Sequence, residues 1–137
     1  MALDPGINNA LNEALNEAWD DFAAYLARRF TQEITEAKWD WPRDPSPRDI
    51  VDTGNLRRSL RITRGLNPDQ LETYFDWMAP YASTVHDGAV FKATDSEGNP
   101  RTMPARPWTR PVLYDRATLA RYFQARFALA MRRRAGQ

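Results

Sequence analysis

The single histidine of this chain, His86, is the side chain best suited to acid–base chemistry near neutral pH, and Asp87 follows it directly. An imidazole beside a carboxylate can act as a general base or a metal ligand. The chain has no cysteine and no second histidine to complete a common metal site, and neighbouring residues on a helix point in different directions. The serines that we considered as nucleophiles, Ser59, Ser83 and Ser96, lack the flanking glycines of a nucleophile elbow. We therefore expect no enzymatic activity and no cofactor.

Two further motifs resemble ligand-binding loops only in part. Gly54, in the phrase Asp-Thr-Gly-Asn, lies where a phosphate-binding loop would need a glycine. No Gly-Lys-Ser/Thr follows it and no apolar strand precedes it. Asp44, Asp49 and Asp52 do not have the spacing of a calcium loop, and its final glutamate is absent. A turn that leads into a capped helix is the better interpretation of Gly54.

Arginine is the commonest charged residue in the second half of the chain. The arginines that can contact a partner are Arg57, Arg58, Arg61, Arg64, Arg101, Arg106, Arg110, Arg116, Arg121, Arg126, Arg132, Arg133 and Arg134. Arginine binds phosphate readily, so a nucleic-acid-binding module that uses the basic last helix is one interpretation. No recognition-helix or base-stacking motif accompanies these residues. Because arginine also pairs with carboxylates and stacks on aromatic rings, we favour protein contacts.

Charge is distributed unevenly along the chain, although the net charge is only +1. Residues 1–40 carry eight acidic and three basic side chains, a balance of −5, and residues 41–100 carry nine and seven, a balance of −2. Residues 101–137 carry one acidic and nine basic side chains, a balance of +8. Three interpretations stay open: the two ends neutralise each other within one fold, the acidic end of one copy meets the basic end of the next, or the basic end contacts nucleic acid.

Length and composition fit one domain that spans residues 1–137. The absence of cysteine fits a reducing compartment, and neither an apolar run of membrane-spanning length nor a signal peptide is evident, so we expect synthesis in a reducing cytoplasm without a membrane partner. The chain contains five Trp, five Tyr and six Phe, which is rich for its size. Such residues and arginine are the usual anchors of protein interfaces.

Hydrophobic periodicity predicts a long amphipathic helix over residues 5–38. Asp4 and Pro5 supply an N-cap and a first-turn proline. Residues 39–50 contain three prolines and predict an extended arm, which Trp39 and Trp41 would pin to the domain or to a neighbour.

The middle of the chain predicts a small antiparallel sheet with short helices. We expect a helix over about 55–60, capped by Asp52 or Thr53, with Leu56 and Leu60 facing the core. Strands are expected at about 60–64 and 71–77, and a short helix at 81–86 that ends at a left-handed Gly88. Two hairpin arms, 90–93 and about 101–103, would follow.

The last part of the chain predicts an extended segment from Arg106 to Pro111, with Trp108 on the sheet and the arginines facing outward or toward the acidic helix. Pro111 would open a final helix that runs to Arg133 and leads into an arginine-rich tail at 132–137. The order helix, small sheet with short helices and a hairpin, helix predicts the α+β class.

Three phrases, in this order and spacing, resemble the neck and tail-completion proteins of long-tailed bacteriophages. They are Asp52-Thr53-Gly54-Asn55-Leu56-Arg57-Arg58-Ser59-Leu60, Tyr81-Ala82 through Gly88, and Arg106-Pro107-Trp108 with Arg110-Pro111. The resemblance covers about residues 50–115. His86 and Asp87 stand where the family usually has a glutamate and an aromatic residue, and Trp108 stands where phenylalanine is commoner.

The resemblance implies a non-enzymatic virion protein at the head–tail junction. It would form a homo-oligomeric ring, for which we expect a hexamer with a dodecamer as the alternative. Its partners would be the portal-side connector or adaptor and the tail terminator or tail tube, close to the DNA in the channel. A tail terminator or a head-closure protein is the closest alternative role.

Combining residue type with the resemblance, we predict a set of interface residues and a set of motif residues. The interface set is Trp39, Trp41, Arg57, Arg58, Arg61, Lys92, Arg101, Arg106, Trp108 and Arg110. The motif set is Asp52, Thr53, Gly54, Leu56, Leu60, Tyr81, Gly88, Pro107 and Pro111. We further expect the arm at 39–50 or the hairpin at 92–102 to reach a neighbouring subunit or a different neck protein.

Overall fold

The structure is a computed structural model that describes residues 5–34, 53–67, 69–94, 96–103 and 105–135, with the backbone alone at 5, 53–54, 89–94 and 101–103. Its elements are α1 (Pro5–Glu33), α2 (Thr53–Arg58), β1 (Leu60–Arg64), β2 (Thr73–Trp77), α3 (Ala82–Asp87), β3 (Ala89–Thr94), β4 (Pro100–Met103), α4 (Arg110–Leu113) and α5 (Arg116–Ala135). The predicted α+β class is confirmed. Residues 35–38 of the predicted first helix, the arm at 39–50 and the last two residues of the predicted tail lie outside the described residues.

The two long helices, α1 and α5, form an antiparallel pair. Small side chains line their contact: Ala14 and Ala18 are fully buried, and Ala130 is 2% exposed. Small residues allow two helix backbones to approach closely. Farther along the pair, the Phe123 ring meets Phe22 edge-on with centroids 5.8 Å apart. Because both helices are so charged, no helix in the described part of the chain is long and apolar enough to cross a membrane.

A two-stranded antiparallel sheet packs on the other side of α1. Strands β1 and β2 pair with Ile62 opposite Phe75. The Phe30 ring of α1 meets Phe75 and Trp77 edge-on, with centroids 5.4 and 5.5 Å apart. Alternation along each strand therefore gives one face that contacts α1 and one face toward solvent.

Strands β3 and β4 form a separate hairpin. Ala89 pairs with Met103 and Thr94 with Pro100, and the register shifts between them. The hairpin arms predicted at 90–93 and 101–103 are confirmed with slightly wider bounds. The strand predicted from residue 71 begins at Thr73 instead.

The main core lies where the C-terminal half of α1 meets the short helices. Its buried members are Leu26, Phe30, Ile34, Leu56, Ala82, Val85, Trp108 and Val112. Each of the elements α1, α2, α3 and α4 contributes to this cluster. One hydrophobic cluster that joins the three short helices to α1 explains why none of the short helices needs to be stable alone.

The single final helix predicted from Pro111 is wrong. The chain instead forms α4, breaks at Tyr114 and Asp115, and restarts as α5. Hydrogen bonds from Thr118 are the main cause that lowers the pKa of the Asp115 carboxyl, and Arg29 lowers it further. An acidic side chain that accepts a hydrogen bond from the backbone N–H three residues ahead acts as the N-cap of a helix. Asp115 therefore opens a new helix, and the Asp-Arg-Ala-Thr sequence carries that signal.

Gly88 follows the prediction in φ but not in ψ. Its φ is 80° and its ψ is 169°, and its N–H donates to the Thr84 carbonyl at 2.8 Å. The positive φ is open to glycine and strained for other residues. The extended ψ is not that of the predicted left-handed helical cap, because the chain leaves α3 directly into β3.

Candidate functional site

The residues predicted to act at an interface fall into three groups in the structure. Trp39, Trp41 and the motif residue Asp52 lie outside the described residues, and only the backbone is described at Lys92, Arg101, Thr53 and Gly54. The side chains of Arg57, Arg58, Arg61 and Arg110 are exposed. The side chains of Arg106 and Trp108 are buried. The described interface candidates therefore do not form one continuous surface.

The three phrases of the phage-protein resemblance meet in the main core. Leu56 from the first phrase is 1% exposed, Val85 from the second is 1% exposed, and Trp108 from the third is 3% exposed. All three belong to the same hydrophobic cluster. Tyr81 packs against that cluster as a half-buried side chain, and Leu60, Pro107 and Pro111 are also half-buried. The motif residues thus serve mainly to build the fold.

Trp108 lies against the sheet, as expected, but both Trp108 and Arg106 are buried, although they were predicted as interface residues. Residues 106–111 were expected to be extended, with the arginines facing outward or toward the acidic helix. Instead the Trp108 N–H donates to the Arg106 carbonyl at 2.8 Å, and the Arg110 N–H donates to the Pro107 carbonyl at 3.0 Å. These tight turns direct Trp108 and Arg106 inward. Burial lowers the pKa of the Arg106 guanidinium to about 10.

Trp108 is surrounded by aromatic and polar neighbours. Its ring meets Trp77 edge-on with centroids 5.4 Å apart, and it meets His86 edge-on at 4.8 Å. The backbone is held nearby, because the Arg106 N–H donates to the Val85 carbonyl at 2.9 Å. The third phrase is therefore fixed against α3 by both side-chain and backbone contacts.

His86 makes polar contacts through both ring nitrogens, one within α3 and one to Thr109 at the start of α4. With its proton on Nδ1 the ring donates to Asp87 Oδ1 at 2.7 Å and accepts from the Thr109 hydroxyl at 2.7 Å. The expectation that His86 and Asp87 point apart is wrong, because Asp87 is the last residue of α3 and its side chain reaches back. A hydroxyl–imidazole–carboxylate chain has the connectivity of a hydrolase triad. The Asp87 side chain is 68% exposed, whereas the carboxylate of such a triad is buried, so the geometry fits a connection between helices better.

The charge polarity seen in the sequence is neutralised across the α1–α5 pair. Arg126 lies 3.2 Å from Asp21, Arg133 lies 2.6 Å from Glu17, and Arg134 contacts Glu17 at 2.5 Å. Hydrogen bonding from Arg134 is the main cause that lowers the pKa of Glu17. Of the three interpretations of the charge, these ion pairs support neutralisation within one chain.

Two exposed basic surfaces are left beside this neutralised pair. The first, here called the α2–β1 patch, consists of Arg57, Arg58 and Arg61. The second is the outer face of α5, where Arg121 and Arg132 are exposed and no acidic residue occurs along the helix. Both patches present exposed positive charge, and Arg110 and Arg116 are exposed outside them.

The described residues contain no group of three or more histidine, cysteine or acidic side chains placed to hold a metal ion. Comparison with known proteins does not change this description, since no family model, no curated protein and no solved structure matches the chain.

Proposed function

We propose that this chain is a structural component of the head–tail junction of a long-tailed bacteriophage, where copies form a ring that joins the connector to the tail. The observation that carries the proposal is the ordered set of three phrases. Its support from the structure is that Leu56, Val85 and Trp108, one from each phrase, pack in one core. Residues far apart in sequence that pack in a common core belong to the fold as a whole, and this packing supports the proposal that the three phrases are parts of one related fold.

The surface properties suit an assembly part. A ring with rotational symmetry needs two different complementary faces on each subunit. The ion pairs between α1 and α5 are made within the chain, so those charges are not the source of the contact between subunits. The α2–β1 patch is basic, and the exposed tip of the β3–β4 hairpin carries Glu97. These oppositely charged regions are the faces we assign to neighbouring copies or to a second neck protein.

Assembly of purified protein tests this proposal. The chain is mixed with the connector and tail-tube proteins of its phage, and complexes are sized by light scattering and imaged by negative-stain electron microscopy. We expect rings with six or twelve copies. A matched variant in which Asn-Gly replaces the exposed hairpin tip at 96–99 should stay folded by circular dichroism but fail to form rings. A chain that enters no complex with either partner contradicts the proposal.

Contact with DNA is a second candidate function, which the acid-free outer face of α5 favours. Arg121 and Arg132 are eleven residues apart on nearly the same helical direction, about 16 Å along the axis. Phosphate contacts would give DNA affinity that falls steeply with salt. Binding that persists in 0.1 M salt and is lost in Arg121→Ala combined with Arg132→Ala would favour this function over a purely structural ring.

A further inference from the structure

The outer edge of β1 is unpaired among the residues that the structure describes. In the described part of the chain, the β1–β2 sheet has two strands and no third strand pairs with β1. A sheet edge carries a row of backbone N–H and C=O groups that can pair with another strand. The edge of β1 is thus a surface on which a partner can bind through its backbone.

The ladder register shows which backbone groups face outward. The Met78 N–H donates to the Ser59 carbonyl at 2.9 Å, and the Gly65 N–H donates to the Glu72 carbonyl at 2.8 Å. In an antiparallel pair, hydrogen-bonded and non-hydrogen-bonded positions alternate. Arg61 and Thr63 therefore bond to β2, while the N–H and C=O groups of Leu60, Ile62 and Arg64 point to the open edge.

Ile62 marks the same edge by its side chain. It lies on the strand face that turns toward α1, opposite Phe75, yet it is 46% exposed. Phe75 itself is packed against Phe30. The sheet thus extends past the body of the protein at β1, and a further strand beside β1 would cover the exposed part of Ile62.

The charge around this edge determines what kind of strand can bind. Arg58 and Arg61 are exposed next to it, and Arg58 donates to the neutral amide of Asn55 at 2.8 Å, which leaves its charge in place. Asp76 is the residue opposite Arg61 in the ladder. Pairing of β1 with β1 of a second copy would bring two such arginine sets together, and like charges across strands are unfavourable.

We infer that the open edge of β1 binds an extended acidic segment of a partner protein by adding it to the sheet as a third strand. The backbone of Leu60, Ile62 and Arg64 supplies the hydrogen bonds, Ile62 supplies an apolar contact, and the α2–β1 patch selects acidic residues. A nucleic acid would use the arginines but has no strand backbone to match the alternating groups of the edge. The inference does not depend on a place in a phage neck.

The test uses the full chain and a fluorescein-labelled peptide, acetyl-Glu-Val-Glu-Val-Glu-Val-Glu-amide, with the matching lysine peptide as its control. We expect the acidic peptide to bind by fluorescence anisotropy, the lysine peptide to bind at least about tenfold more weakly, and affinity to fall with added salt. In the free protein the Ile62 and Arg64 amides should exchange with deuterium quickly, and the peptide should slow both.

Two substitutions assign the binding to this edge. Ile62→Pro removes an outward N–H without removing a bond to β2, so it should weaken peptide binding about tenfold or more while circular dichroism is kept. Arg61→Glu should weaken the acidic peptide and strengthen the lysine peptide, and it remains informative if Ile62→Pro does not fold. Arg28→Glu, at an exposed position of α1 outside both basic patches, is the matched control and should leave peptide binding unchanged.

Several results would overturn the inference. Absence of acidic-peptide binding at millimolar concentration is one. Binding that neither Ile62→Pro nor Arg61→Glu affects would place the peptide elsewhere. Slow exchange of Ile62 and Arg64 in the free protein would mean that the edge is already covered. Binding of duplex DNA to the same arginines without peptide binding would assign the patch to phosphate recognition.

Discussion

At the scale of single residues, the same side chains carry the resemblance and the stability of the core. Trp108 is the clearest case, because it is 3% exposed and contacts Trp77 and His86 edge-on. Its indole N–H is buried and has no hydrogen-bond acceptor among the described residues. The residue therefore stabilises the fold by its shape and apolar area and not by a hydrogen bond.

Substitutions at Trp108 test this view. Trp108→Ala should lower the free energy of unfolding by about 3–5 kcal/mol, since it leaves a cavity in the core. Trp108→Phe should cost about 1 kcal/mol, because it keeps an aromatic ring and loses no hydrogen bond. Urea denaturation measures both, with Leu113→Ala on the surface as the control. Equal losses in the free energy of unfolding for the Phe and Ala variants would contradict the view that shape and apolar area account for the contribution of Trp108.

Two carboxylates with lowered pKa values predict how the stability of the fold depends on pH. Glu17 and Asp115 have pKa values below their ordinary ones, the first mainly through Arg134 and the second mainly through Thr118. A group with a depressed folded pKa stabilises the fold above its unfolded pKa and loses that contribution as pH falls through the folded pKa. Stability should therefore fall on acidification below about pH 4.

The Glu17→Gln variant isolates one of these groups. Its urea midpoint should lie below that of the parent protein at pH 7, and the two midpoints should converge as the pH falls below about 4. Raising the salt concentration at pH 7 should also bring them together, since the pair is partly exposed. A gap that is constant across pH would mean that the charge of Glu17 does not contribute to stability.

At the scale of elements, the helix pair supports the sheet and the core. Ala18 is fully buried on α1, on the side that packs against α5, whereas Ala24 on the same helix is exposed. Ala18→Leu should force the helices apart and lower the free energy of unfolding by about 1–3 kcal/mol. Ala24→Leu, the matched control, should be close to neutral. Thermal denaturation of both variants makes the comparison, and equal effects would contradict the close packing.

The sequence predicted most of these elements for physical reasons that are local. The apolar spacing of α1, the alternation of residues 73–77 and the glycine at position 88 each act within a few residues. The break at Tyr114 and Asp115 was missed because helical periodicity on both sides hid the N-cap. Trp108 was expected on the sheet and contacts Trp77 there, whereas the burial of Arg106 involves a backbone hydrogen bond to Val85, which is distant in sequence. No local pattern carries that information.

The candidate site was less predictable than the fold. Sequence pointed correctly to exposed arginines at 57, 58, 61 and 110, since their helix and strand positions set their direction. It could not tell which arginines are used within the chain, because the pairs of α1 with α5 join residues more than a hundred positions apart, such as Glu17 and Arg134. The sequence also did not predict the open edge of β1, because that edge depends on which strands pair, and in the described part of the chain only β2 pairs with β1.

At the scale of the whole molecule, two long helices whose charges pair with each other support a small sheet. The sheet carries the α2–β1 patch, and the tip of the β3–β4 hairpin carries Glu97. The internal ion pairs mean that charge on the helices stabilises the monomer, so for the proposed ring we expect contacts between copies at other surfaces, such as the sheet, the hairpin or the short helices. Mixtures of Arg61→Glu protein with protein in which Glu97 is replaced by Lys should restore assembly that each variant alone has lost. Sedimentation velocity measures assembly of the mixtures. If each variant fails to assemble and the mixture fails too, Arg61 and Glu97 do not contact each other between copies.

The most direct measurement is cryo-electron microscopy of virions whose genome encodes this chain, with the reconstruction focused on the head–tail junction. We predict a ring of six or twelve copies between connector and tail, with α1 and α5 resolved as an antiparallel pair and the β3–β4 hairpin against a neighbour. A junction in which every ring is accounted for by other proteins, in particles that lack this chain by mass spectrometry, would contradict the proposed function.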